Sequence, residues 1–147
     1  MMTIMAVALL QAAVVQAGSW QGDTAPSADG IRRLGFARGE GESHYILFMT
    51  CQAGSGWVSV TQSGPARSDG AMHVSIAGMS LTPISRRSQH GPMGPEITTM
   101  LPANHPVFVS MMRGSSLTIN AATYPVTTLV EQRRVASFTE TCDETEL

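Results

Sequence analysis

The clearest pattern of apolar and polar positions lies in HYILFMTCQAGSGWVSVTQ, from His44 to Gln62. Tyr45, Leu47, Met49 and Cys51 share one parity, and Ile46, Phe48 and Thr50 share the other. Both faces are apolar, which predicts a strand covered on both sides. Ala53-Gly54-Ser55-Gly56 is turn material, and Val58 and Val60 then alternate with Ser59 and Thr61. The segment therefore reads as a β-hairpin. Ahead of it, Ile31 to Arg38 predicts a first strand, broken by the glycines and charge of Gly39 to Ser43.

Beyond the hairpin, Ser63 to Gly70 reads as a loop, and Met72, Val74 and Ile76 alternate. Leu81 and Ile84 flank Pro83, which predicts an edge position or a bend. Ser88 to Glu96, with two glycines and two prolines, predicts an irregular loop, and Ile97 to Leu101 a short strand or a helical turn. Val107 to Met112 is an apolar run read as a strand, with Ser116 to Asn120 pairing back on it as a second hairpin.

The last segment changes period. Val135, Phe138 and Cys142 have helix-compatible spacing, and Thr128 and Glu131 have the spacing of a capping box. Two readings fit: a short helix near Leu129 to Arg134 with a return toward Cys51, or a final strand. Turn signals recur about every 10 residues between six to eight short strands, which predicts an all-β fold. The expected architecture is a small antiparallel β-sandwich or barrel with a short C-terminal helix. The single β domain spans 31–142, after an N-terminal arm at 18–30 that is flexible apart from Trp20, and before an acidic tail at 143–147.

Residues 1 to 17 carry no charged side chain, and Ile4 to Val15 are apolar apart from Gln11. Val15-Gln16-Ala17 is a small-x-small pattern before Gly18, so the segment reads as a secretory signal peptide cleaved after Ala17. The run is short of the roughly 20 residues that span a bilayer. Membrane attachment would come only through an uncleaved signal. Periplasmic or secreted localisation follows as an expectation. In an oxidising compartment two distant cysteines pair, which predicts a Cys51–Cys142 disulfide. Closing a loop of about 90 residues is worth about 4 to 5 kcal/mol in the chain-entropy account.

Composition narrows the chemistry. Apolar residues make up 43% and charged residues 14%, the balance of a folded domain rather than a disordered one. A net charge of −2 with no basic stripe argues against a nucleic-acid partner. All nine basic residues are arginine, which removes Schiff-base lysines, P-loop lysines and Ser-x-x-Lys nucleophiles. The pairs Arg32-Arg33, Arg86-Arg87 and Arg133-Arg134 read as solvated surface features rather than anion sites.

His44, His73, His90 and His105 show no zinc-site spacing, and Gly54-Ser55-Gly56 is too short for a nucleophile elbow. An enzyme would need a site built from loops, with some of these histidines converging on an acid. Seven methionines follow Ala17, and thioethers with imidazole suit Cu(I). A copper or soft-metal site would use His90, Met93 and Met112; the alternative is that the methionines fill the core. Use of His and Met resembles the periplasmic copper chaperones, although the chain has no His-x-Met pair.

As a whole, the pattern resembles small proteobacterial periplasmic β-sandwich proteins. These are the invasion-associated locus B proteins and the periplasmic accessory proteins of type VI secretion. Ile46 to Cys51, Gly56 to Val60, Arg113 to Ile119 and Cys142 carry the resemblance. It implies an aliphatic strand ending in Cys, a hairpin, a sandwich core and a second Cys near the C-terminus, and brings no catalytic residues. The resulting expectation is an exported, non-enzymatic binding or structural module of the bacterial cell envelope, with another envelope protein as partner.

Overall fold

The computed structural model describes residues 13–23, 27–39, 45–63, 71–91 and 94–143. In chain order they form β1 (Val14–Val15), β2 (Ser19–Gly22), β3 (Ile31–Ala37), β4 (Leu47–Gln52), β5 (Trp57–Ser63), β6 (Val74–Ile76) and β7 (Met79–Leu81). There follow β8 (Ser85–Gly91), β9 (Gly94–Pro102), α1 (Pro106–Met112), β10 (Leu117–Ile119), β11 (Ala122–Tyr124) and α2 (Leu129–Cys142). The strands make two sheets, ordered β2-β3-β4-β5-β9-β8 and β1-β11-β10-β6-β7. The fold is an open sandwich of mostly antiparallel strands, not a closed barrel.

Register explains the core. Phe36, Leu47, Gln62 and Ile97 form one cross-strand row of the six-stranded sheet, and Leu34, Met49, Val60 and Thr99 form the next. All eight are buried, because strand parity sends them to one face. The second layer contributes Val74, Ile76, Leu117, Ile119 and Tyr124 from the smaller sheet, with Val107, Phe108, Met111, Val135 and Phe138 from the helices. Phe36 meets Tyr124 edge-on at 5.4 Å between ring centroids, and Trp20 meets Phe36 in the same way at 5.6 Å.

A buried polar bridge also joins the sheets. The Gln62 amide donates to Ile119 O and to the Tyr124 hydroxyl, both at 2.9 Å. Asn120 donates to Gln62 Oε1 at 3.1 Å and accepts from the His73 N–H at 2.9 Å. Burial pushes the Tyr124 phenol above its usual value, against the Gln62 amide and the Arg38 charge, which lower it.

The predicted hairpin is present, with Leu47 opposite Gln62 and Met49 opposite Val60. Its second face is only half covered: Phe48 and Thr50 are partly exposed. The Tyr45 ring covers Gly35 there, where a Cβ would stand 2.5 Å from ring carbons.

Four readings are corrected. The segment at 18–30, expected as an arm flexible apart from Trp20, contains β2, which pairs with β3; Trp20 itself is entirely buried, as its exception anticipated. Val107 to Met112 is not a strand but most of α1, so no second hairpin forms there; Pro106 opens the helix and the His105 ring accepts from Val107 N–H as its cap. Val107, Phe108 and Met111 thereby reach the core from one side of a helix. The predicted loop at Ser88 to Glu96 lies mostly on strands, β8 and the start of β9. β8 reads as polar because it is a sheet edge, paired on one side only. Finally, α2 extends well past Arg134, to Cys142.

The end of α2 settles why Cys51 stands before a glycine-rich turn. Cys51 is bonded to Cys142 across 91 residues, with 5.6 Å between Cα atoms. In the adjoining turn, Gly54 N–H donates to Thr141 O at 2.9 Å and Gly56 N–H to Cys142 O at 2.7 Å. Helix-terminal carbonyls lack intrahelical partners, and here the turn supplies them.

Candidate functional site

Two of the histidines first singled out have local roles of their own. His73 is exposed and bonds Thr82 Oγ1 through Nδ1 at 3.2 Å, while His105 caps α1. His90 lies in β8, and His44 and Met93 lie outside the described residues. Met112 is packed against the core, and its sulfur accepts from the Thr139 hydroxyl of α2 at 3.8 Å. Met49, Met72 and Met111 are wholly buried, as core filler would be. Among the described residues no group of three or more His, Cys, Asp or Glu could hold a metal.

A different constellation forms between β2, β3 and α2. A pocket of about 390 Å³ is lined by Gly22, Asp23, Arg32, Arg33, Leu34, Val130, Arg133, Arg134, Ser137 and Phe138. Two of the arginine pairs set aside as surface features therefore meet across one cavity. Four arginines line it against a single carboxylate. Asp23 is already engaged by Arg33, at 3.7 Å.

Arg32 is the unusual member. It stands on the same side of β3 as Leu34 and Phe36, opposite Cys51, and is only 6% exposed. Nη2 donates to Ser137 Oγ at 2.9 Å. Nε is buried and has no partner, and no carboxylate of a described residue pairs with this charge. An arginine stays protonated, so this largely buried cation has no counter-charge among the described residues. With four arginines and one carboxylate in its lining, the cavity has a positive sign.

The helix side of the pocket is held in place by both ends of a clamp. β2 is a sheet edge, and at Trp20 its outward N–H and C=O face α2. Glu131 accepts from Trp20 N–H at 3.0 Å, and Arg134 donates to Trp20 O at 2.7 Å. Glu131 also accepts from the Thr127 and Thr128 hydroxyls at 3.0 and 3.1 Å, while Thr128 caps the helix by accepting from Glu131 N–H. The capping-box spacing is thus put to another use: the carboxylate reaches the neighbouring strand. Burial works to raise the Glu131 pKa, but the Trp20 N–H and the threonine donors outweigh it and hold the carboxyl below its usual value.

Two signals for this pocket were visible in the sequence. Val130, Arg133, Arg134, Ser137 and Phe138 share one stripe of a 3.6-residue period. Arg32 keeps parity with Leu34 and Phe36, placing a charge on an apolar strand face. The unread part was that β3 and the helix stripe would oppose each other. The comparisons leave the site to be read from its own chemistry: no family model, no curated protein and no solved structure matches the chain.

Proposed function

We propose that the protein is an exported, non-enzymatic binding module of the bacterial cell envelope, and that the pocket between β2, β3 and α2 is its site for an anionic ligand. The observation that carries this reading is Arg32, a buried cation with an unpartnered Nε at the wall of an arginine-lined cavity. The cavity is within the range of small-molecule pockets, roughly 300–1,000 Å³. The disulfide supports an oxidising compartment. The apolar leader ending at Ala17 supports export. No helix among the described residues is long and apolar enough to cross a membrane.

The test is thermal unfolding at fixed ionic strength with chloride replaced by phosphate. A ligand at about ten times its Kd adds about 1.4 kcal/mol to the folded state. The melting temperature is expected to rise by several degrees in the native protein and to stay put in Arg32→Met. Equal melting in the two salts refutes an oxyanion site.

A further inference from the structure

We propose that the ligand is a small phosphate monoester, its phosphate held by Arg32 and Arg133 and its apolar remainder leaving the pocket over Val130. This deepens, and rests on, the anion-binding reading above. Charge favours a phosphate over a carboxylate. Asp23 answers Arg33, and Arg134 already donates to Trp20 O, but Arg133 makes no hydrogen bond with a described residue, and Arg32 lacks a counter-charge. A single carboxylate brings one negative charge. A phosphate monoester carries about −1.5 to −2 near neutral pH, with three strong acceptor oxygens for two guanidinium forks.

The placement of the groups gives the ligand a direction. Arg32 is nearly buried and Arg133 exposed, and both line the cavity, so an oxyanion at the Arg32 guanidinium edge has Arg133 in the same lining. The remaining wall is mostly carbon, from Leu34, Phe138 and Val130. Val130 lines the cavity yet remains 52% exposed among the described residues, an apolar surface in the first turn of α2. An inorganic phosphate would leave that wall wet. A volume of about 390 Å³ admits a short chain or one ring and excludes the paired acyl chains of a bilayer lipid.

The test is calorimetric titration of the disulfide-bonded protein at low ionic strength with three probes: octyl phosphate, inorganic phosphate and octanoate. Octyl phosphate is expected to bind at least tenfold tighter than either of the others. Its binding should vanish in Arg32→Met and weaken at least threefold in Arg133→Gln, whose exposed side chain leaves the fold undisturbed. Octanoate binding as tightly as octyl phosphate overturns the phosphate assignment but leaves an anion site. Inorganic phosphate binding as tightly overturns the apolar half. Octyl phosphate binding that survives both substitutions overturns the location. The absence of binding by all three overturns this inference and the anion reading together.

Discussion

Replacing Arg32 with methionine should make the ligand-free protein more stable. Arg32 is only 6% exposed, and its Nε has no acceptor among the described residues. Leaving a buried polar group unsatisfied costs about 1–3 kcal/mol, and more for a charged one. Methionine has similar reach, no charge, and Leu34 and Phe138 to lie against. The loss is the bond to Ser137, worth about 0.5–1.5 kcal/mol net, and Ser137 is exposed enough for its hydroxyl to return to water. The balance is a gain of about 1–2 kcal/mol, or roughly 3–8 °C in melting temperature for a chain of this size. The assay is thermal unfolding followed by circular dichroism in Tris chloride, free of oxyanions. Arg32→Ala serves as the contrast, since it leaves a void and gains nothing from packing. A methionine variant less stable than the native protein by 1 kcal/mol or more in chloride would refute the reasoning. It would mean that Arg32 is a satisfied structural residue and not a site waiting for an anion.

Four further outcomes are expected. Replacing both Cys51 and Cys142 with alanine should lower stability in urea by up to about 4.6 kcal/mol, the chain-entropy value for a loop closed across 91 residues; a loss under 1 kcal/mol would contradict it. Glu131 has a folded pKa below the ordinary carboxylate value of 4.5, so its contribution is complete above that value and is lost as pH falls through the folded pKa. Glu131→Gln should therefore flatten the acid limb of the stability–pH curve, and an unchanged limb would show that the Trp20 contact contributes nothing. Ala121 has φ of 38° in the two-residue turn between β10 and β11, so Ala121→Gly should stabilise by about 0.5–1 kcal/mol in urea unfolding. Intact mass of the exported protein should begin at Gly18 and be two hydrogens light; a full-length mass with free thiols would contradict both export and the staple.

What the sequence disclosed depended on how each element is covered. The β4–β5 hairpin was legible because one strand face is buried and two glycines with φ of 73° and 81°, Gly54 and Gly56, mark its turn. α1 was misread because a short apolar run has no period of its own; what decides it is local, a histidine cap followed by proline. β8 was missed for the opposite reason. An edge strand with a polar sequence resembles a loop until its partner, β9, is known. β2 was hidden because a single tryptophan anchors it, and the groups that hold its backbone, Glu131 and Arg134, are more than 100 positions away. The pocket suffered the same long separation. Each arginine pair was visible, but whether two pairs face each other is a property of topology, which pairwise spacing does not carry.

That separation sets an order of events. One wall of the pocket comes from residues 32–34 and the other from residues 130–138, and the bolt joining the two halves closes only when Cys142 reaches Cys51. A chain made from its N-terminus therefore presents β3 with a naked arginine and β4 with a lone thiol well before α2 arrives. Closure of the pocket and oxidation both wait for the same helix. The pocket walls and the two cysteines meet through the same late element, so a chain cut before its last helix would hold neither a finished pocket nor a staple.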